Sequence, residues 1–297
     1  MPAPVMENKN NTGTLYICAT PIGNLQDTSF RLLDTLRVVD IIISEDTRTT
    51  KKLLLKFDIR EVRIESYHDN TTEKKSEEII KNLEKGLSVA IVSESGMPLI
   101  SDPGFKLVRS CIERKINLTV IPGPNAALTA LVLSGISVDN FLFIGFLPKT
   151  SVKIKKKLEE IKNIPYTIIF YESPNRILEL LKTIKEVFGE REICLARELT
   201  KIYEECIRGE TSEVIEILDK RSLKGLKLKG EIVLVVSGFK VKKAEEFDEN
   251  IIKKELNAYF KKGLTKKEAF KAVMAEYDIS RKEIYDISIK LNNFKIN

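Results

Sequence analysis

Five short apolar runs, residues 15–19, 39–44, 62–66, 89–93 and 118–121, alternate with amphipathic stretches through the first half of this chain. The runs are short and largely apolar, several of them rich in β-branched residues, and each is read as a strand covered on both faces. The intervening stretches at about 28–37, 47–57, 72–85 and 103–114 repeat their apolar residues at helical spacing. Alternation of this kind predicts an α/β fold with a largely parallel, helix-covered sheet. Asp102-Pro103 is expected to open one helix, because Asp accepts orphan N–H bonds and Pro suits the first helical position. A further helix, about 125–133, follows Pro122-Gly123-Pro124.

The second half is expected to open after a strand at 141–146 and the Leu147-Pro148-Lys149 turn. It reads helix 152–162, strand 167–171, helix 174–188, strands 192–198 and 203–209, a short helix from Ser212, and strand 231–237. Two strands with no helix between them imply a mixed sheet. The expected domains are an N-terminal α/β domain at 13–147, a second α/β domain at 148–239 and a helical appendix at 240–297. Thr265-Lys266-Lys267-Glu268 and Ser280-Arg281-Lys282-Glu283 fit the capping-box pattern, so two helices should start fifteen residues apart. Phe270, Val273 and Tyr277 share one helical face, as do Ile284, Ile287 and Leu291.

A length of 297 residues sits where single cores give way to two domains. Four cysteines without a C-x-x-C pair, and a single histidine, argue against a zinc site, and no metal is expected. Cys18 and Cys194 lie in apolar runs, where a thiol acts as a small hydrophobe. No apolar run approaches the ~20 residues that span a bilayer. The polar residues 1–12 carry no apolar signal core and read as a disordered lead-in, so a cytoplasmic location is expected. The net charge is +6, and the segment 240–297 holds 14 Lys/Arg against 10 Asp/Glu, which places +4 of it there. That excess suits RNA docking, although a solvated helical cap would carry it too.

Four loops follow strands directly: Thr20-Pro21-Ile22-Gly23-Asn24, Glu45-Asp46-Thr47-Arg48, Ser93-Glu94-Ser95-Gly96-Met97-Pro98 and Pro122-Gly123-Pro124-Asn125-Ala126. Open parallel sheets bind ligands beyond the carboxyl ends of their strands. One such loop is merely a turn, but four on one edge point to a cleft. The chain lacks G-x-x-x-x-G-K-[ST] and has no G-x-G-x-x-G after the first strand, which argues against P-loop and dinucleotide chemistry. A Pro-rich cleft without a phosphate cradle suits a nucleoside ligand that has no phosphates, such as S-adenosylmethionine.

At these residues the chain resembles one family. Residues 15–25, Ser44-Glu45-Asp46-Thr47-Arg48 and Pro98-Leu99-Ile100-Ser101-Asp102-Pro103-Gly104 are similar to those of the bacterial ribosomal RNA small subunit methyltransferase I family, within the tetrapyrrole methylase superfamily. Tyr171-Glu172-Ser173-Pro174-Asn175-Arg176, Arg197-Glu198-Leu199-Thr200-Lys201 and Gly230-Glu231-Ile232 extend the resemblance, which runs from about Gly13 to the C-terminus. It implies S-adenosylmethionine-dependent 2′-O-methylation of a decoding-centre cytidine in 16S rRNA. It also implies two α/β domains with the cofactor between them, and a homodimer. Two departures stand out. The family's Ser-Asp-Ala-Gly-Thr-Pro is replaced at Glu94, Ser95 and Met97, and its Tyr-Glu-Ser-Pro-His-Arg carries Asn175 here. Met97 lacks a hydroxyl, while backbone contacts at that position remain possible.

The resemblance implies cofactor contacts from Pro21, Gly23, Gly96, Met97, Pro98, Ile100, Ser101, Asn125 and Ala126, joined by Tyr171, Glu172, Gly230 and Glu231. For the Pro and Gly members, loop geometry alone is the alternative; for Ser101 it is helix capping. Glu45, Asp46, Arg48, Glu172, Arg197 and Glu198 are the catalytic candidates. Asp46 could instead cap a helix with Arg48 on its solvated face, and the second-half charges could form an ion-pair network. Arg48, His68, Arg176 and Lys201 are the RNA-binding candidates, with 16S rRNA or the small ribosomal subunit as partner. His68, in Tyr67-His68-Asp69-Asn70, is more readily a loop or RNA-contacting residue than a general base. A tetrapyrrole methylase, or a non-catalytic RNA-binding assembly factor, remains as an alternative.

Overall fold

A computed structural model of the chain describes residues 12–68, 73–226, 228–240, 242–243 and 249–289. Most of the lead-in, Asp69, Asn70 and Leu291 therefore lie outside the described residues. The chain divides into two units, Met1–Lys162 with Tyr166–Ser237, and Asn163–Pro165 with Gly238–Asn297.

The larger unit holds two five-stranded sheets. The first is built from β1 (Thr14–Cys18), β2 (Ile41–Ser44), β3 (Arg63–Ser66), β4 (Val89–Val92) and β5 (Asn117–Ile121) in the order β3-β2-β4-β1-β5, all parallel. Because side chains alternate across a strand, β2 serves two cores. Ile41 and Ile43 join Leu15, Ile17 and Ile91 against α3 (Glu73–Glu84) and α4 (Phe105–Glu113). Ile42 joins Cys18, Ala90 and Val92 against α1 (Phe30–Val38) and α2 (Thr47–Lys56). Burial of each such side chain stabilises the fold by roughly 1.5–3 kcal/mol. Burial also pushes the Cys18 thiol up to about 12, so it packs as a hydrophobe.

Two readings of this half are corrected. The strand β3 is not covered on both faces: it is an edge strand that presents Arg63 and Glu65 to an ion pair with each other. The fourth helix does not start at Asp102-Pro103. Gly104 occupies the N-cap with φ +128, a conformation that favours glycine, and the helix begins at Phe105.

The second sheet contains β6 (Phe141–Phe146), β7 (Thr167–Glu172), β8 (Glu192–Arg197), β9 (Glu205–Glu210) and β10 (Ile232–Val236) in the order β6-β7-β10-β8-β9. It is mixed: β6 and β7 are parallel, and the remaining pairs antiparallel. The strand at 141–146 thus belongs to the second sheet, because its backbone pairs with β7 rather than with β5. On one face lies α5 (Ala126–Ser134), whose Ala127, Ala130 and Leu131 pack on Ile169, Cys194, Val233 and Val235. Ile22, from the loop after β1, sits in the same cluster. The helices α6 (Ser151–Ile161), α7 (Ile177–Phe188) and α8 (Thr211–Leu223) complete the unit. Residues 174–176 stay outside α7, because Ser173 O accepts from both Arg176 N and Ile177 N in a preceding turn.

The smaller unit contains α9 (Glu249–Lys261), α10 (Lys266–Glu276) and α11 (Arg281–Ile289), with a short parallel pairing of β11 (Lys242–Lys243) and β12 (Tyr277–Asp278). Both capping boxes form. Thr265 N donates to Glu268 and Glu268 N to Thr265 Oγ1, and the Ser280–Glu283 pair repeats the exchange. Phe270, Val273, Ile284 and Ile287 pack with Ile252 and Leu256. Tyr277 joins that core from an extended position just past α10, not from the helical face. Among the described residues no helix is long and apolar enough to cross a membrane.

Candidate active site

Parallel strands put the loops after β1, β2, β4 and β5 on one edge of the first sheet. The loops after β1 and β4 are stitched together. Thr20 N donates to Gly96 O at 2.9 Å and Gly96 N to Thr20 O at 3.1 Å. Ser93 Oγ also donates to Gly96 O, at 2.6 Å. Gly96 has φ +85, and a Cβ there would stand 3.1 Å from Ile22 Cγ2. A Cβ on Gly123 would approach Ala19 Cβ to 2.9 Å, which draws the loop after β5 against the end of β1.

Beyond Gly96 the backbone is strained. Leu99 (φ 70) and Ser101 (φ 68) hold left-handed conformations, each costing about 1–3 kcal/mol in a non-glycine residue. Such strain persists where surrounding structure enforces it. A Cβ on Gly145 of β6 would lie 2.9 Å from Ser101 Oγ, so the loop after β4 runs against the second sheet. Tyr171, near the end of β7, stacks edge-on with Phe143 (5.0 Å) and Phe146 (5.5 Å). Its hydroxyl accepts from Ala127 N at 3.2 Å, which ties β7 to the first turn of α5. Asn125 caps that helix by accepting from Leu128 N. The capping role does not occupy its amide NH2.

The second sheet supplies a charged rim. Because β10 is antiparallel to β7 and β8, its first residue Ile232 registers with both Glu172 and Arg197. Strand ends carrying Glu172, Arg197, Glu198, Gly230 and Glu231 therefore converge. Glu172 is 3% exposed. Its Oε1 accepts from Ser173 N, while Oε2 lies 3.1 Å from Arg176 Nη2 without hydrogen-bond geometry and stays unsatisfied. Arg176 donates instead to Pro148 O at 2.9 Å. Glu198 (φ 51) and Thr200 (φ 66) are again left-handed. Burial opposes ionisation of Glu198, yet the Lys201 ammonium and Glu231 N–H hold its pKa below the ordinary value. Lys201 Nζ bridges Glu198 (2.9 Å) and Glu231 (3.1 Å), and its aliphatic stem lies where a Cβ on Gly23 would fall. Arg197 pairs with Glu205, which also binds Arg221, so it serves an ion-pair network across β8, β9 and α8.

Between these loops opens a pocket of about 360 Å³. Of the expected site residues, Pro21, Gly23, Lys201 and Glu231 line it. Pro98 and Glu45 instead line a small crevice with Ser44, Tyr67 and Asp102. Asp46 is the N-cap of α2 and clamps Arg48 in two hydrogen bonds, Oδ1 to Nε at 3.0 Å and Oδ2 to Nη2 at 2.8 Å. These bonds hold Asp46 down to about 2, so it is ionised throughout the working range. The Arg48 side chain is 86% exposed. His68 is exposed and shares a 2.6 Å hydrogen bond with Ser66 Oγ; it does not line the pocket.

Sequence reasoning missed two parts of the wall. Thr49, Lys52, Leu53 and Lys56 line the pocket from α2. Their i, i+3, i+4, i+7 spacing was a legible helical stripe, and it adds two cations beside Arg48. Glu94, in sequence a substitution within the family loop, faces the pocket. Burial pushes its carboxyl above the ordinary value, the Asp46 and Glu45 carboxylates push it further, and Arg48 opposes them. The arrangement offers a mainly apolar pocket, a carboxylate with raised proton affinity and a cationic flank.

Residues 14–215 match the family of Tetrapyrrole (Corrin/Porphyrin) Methylases. The chain belongs to that family. Its relatives there include "Ribosomal RNA small subunit methyltransferase I" of Bacillus subtilis (strain 168), 43% identical over 282 residues, 94% of each chain. The protein of the same name from Rickettsia prowazekii (strain Madrid E) is 46% identical over 75% of this chain and 78% of its own. Matches of this extent put the chain within the small subunit methyltransferase I group of the family, and it is a methyltransferase. Solved structures share the fold at low identity. A conserved hypothetical protein of Aeropyrum pernix K1 has a TM-score of 0.59 at 15% identity, covering 76% of this chain and 85% of its own. Uroporphyrin-III-C-methyltransferase of Thermus thermophilus has 0.50 at 16%, covering 76% and 92%.

Proposed function

We propose that this methyltransferase uses S-adenosylmethionine to methylate the ribose 2′-oxygen of a decoding-centre cytidine in 16S rRNA, and that it works in the cytoplasm as a homodimer. The observation that carries the reading is a relative named for ribosomal RNA methylation that aligns over 94% of both chains. The residues present fit such a cofactor. Glu172 Oε2, ion-paired with Arg176 but without a hydrogen bond, and Thr200 Oγ1 are buried oxygens whose hydrogen bonds a ligand's ammonium or ribose hydroxyls would complete. Backbone groups of residues 96–101 and 125–126 would hold the nucleoside, and the apolar Met97 would pack on it.

When bound, S-adenosylmethionine supplies a methyl group on a sulfonium, which transfers by in-line displacement. The chain's own task is alignment and proton removal. Glu94 takes the proton of the 2′-hydroxyl: it faces the pocket, and burial and the neighbouring carboxylates raise its proton affinity above the ordinary value. Arg48, Lys52 and Lys56 hold the RNA phosphates along α2, with Asp46 fixing the direction of Arg48. Lys201 anchors the rim between Glu198 and Glu231.

The homodimer draws support from α5. Its inner face is buried on the second sheet, yet Leu128 and Val132 (78% exposed) on the outer face remain uncovered, beside Val138 in the following loop. A helix apolar on all sides ordinarily has partners on all sides. The enzyme reading is tested with purified small subunits and methyl-labelled S-adenosylmethionine. Label confined to one cytidine ribose is expected; label on a base, or none, overturns it.

A further inference from the structure

We infer that the smaller unit carries its own RNA-binding groove, formed where the first turns of α10 and α11 face each other. The inference rests on the rRNA reading above and adds a site outside the methyl-transfer pocket. Among the described residues the groove is lined by Lys266, Lys267, Phe270, Arg281, Lys282 and Tyr285, which are four cations and two aromatic rings with no acidic side chain. Lys266 Nζ stands 4.6 Å from the Tyr285 ring centroid and 5.5 Å from that of Phe270. Phe270 is rooted in the helical core, whereas Tyr285 is 50% exposed and presents a ring at the groove wall.

Three features converge on a nucleic-acid strand. The cations occupy the first two positions of each helix, just after the N-caps Thr265 and Ser280. Cations there run against the helix dipole, which favours acidic residues in the first turn. Their placement costs helix stability, and an anionic ligand would repay it by meeting both the side chains and the N-terminal dipoles. The nearby acids Glu268 and Glu283 are turned back onto their own caps, Thr265 and Ser280. An exposed ring beside a row of cations is the pairing that holds single-stranded nucleic acid, bases stacking while phosphates are neutralised.

The test uses the full-length chain and a single-stranded fragment of small-subunit rRNA, with binding measured across a salt series. Lys267→Gln/Arg281→Gln/Lys282→Gln leaves the core and the caps in place. Loss of three phosphate contacts should weaken binding about tenfold or more and flatten the log Kd against log salt slope by about 2. Tyr285→Leu should weaken binding about fivefold or more with the salt slope unchanged, and Tyr285→Phe should restore it. S-adenosylmethionine affinity should stay the same in all variants. An unchanged slope in the triple variant overturns the groove. So does a variant that loses assembled subunits but keeps naked RNA, which would mark a ribosomal-protein contact instead. Failure of the wild-type chain to label any rRNA overturns the enzyme reading and not the groove, which is scored by binding alone.

Discussion

Gly230 is the position where one added methyl group should be felt most clearly. Its φ is +89, and a Cβ would lie 2.0 Å from Glu198 Oε1, 2.3 Å from Cδ and 2.5 Å from Cγ. The Gly230→Ala variant must therefore expel the Glu198 side chain, which accepts from Glu231 N at 3.1 Å and Lys201 Nζ at 2.9 Å. The left-handed backbone costs an alanine about 1–2 kcal/mol. Two charge-assisted hydrogen bonds at a partly solvated rim add about 1 kcal/mol each. The total is about 3–4 kcal/mol, and for a body of this size that lowers Tm by roughly 6–16 °C. Urea denaturation gives the free energy directly, and a double-mutant cycle isolates the clash. In a Glu198→Ala background the same change should cost only the backbone share, about 1–2 kcal/mol. An equal cost in both backgrounds, or a single-variant cost well under 1 kcal/mol, would refute the reasoning.

Further outcomes follow from the same geometry. The Glu94→Gln variant should lower kcat by ~10²–10⁴ while leaving cofactor affinity intact. The wild-type rate should fall as pH drops through the raised Glu94 pKa, and the Gln variant should lose that acid limb; a retained limb assigns the proton to another group. Glu205, held at about 2 by Arg221 and Arg197 against the cost of burial, contributes stability that is present above its ordinary pKa of 4.5. That stability is lost as pH falls from about 4.5 toward 2, and after allowance for solvent screening it is worth about 1–2 kcal/mol. Thermal melts of Glu205→Gln should show a lower Tm at neutral pH and a shallower acid decline. The Val132→Asp variant should dissociate the proposed homodimer in light scattering without loss of helix content; an unchanged dimer mass would place the interface elsewhere.

The element order was legible because burial on both faces leaves a simple mark: β2 and β4 are buried at every position and apolar at all but Ser44. Pairing partners leave no such mark. The strand 141–146 has the same apolar character whichever sheet it joins, and its alignment with β7 is a tertiary fact. Start signals misled where glycine conformation overrode side-chain capping, as at Gly104 beside Asp102-Pro103. In the site, the Pro/Gly loops were readable as loops on one edge. The pocket's far wall on α2 was hidden in plain helical spacing, and Glu94 looked like a mere substitution until its carboxylate neighbours were seen. Arg197 illustrates the reverse: a residue type suited to catalysis, held by Glu205 in a structural network.

The most direct measurement is ribose-methylation mapping of small-subunit rRNA from cells with and without the gene, with the Glu94→Gln variant as a third arm. The account predicts one 2′-O-methyl cytidine in the decoding centre that disappears on deletion, returns with the wild-type gene and stays nearly absent with the variant. An identical methylation pattern in cells with and without the gene would contradict it.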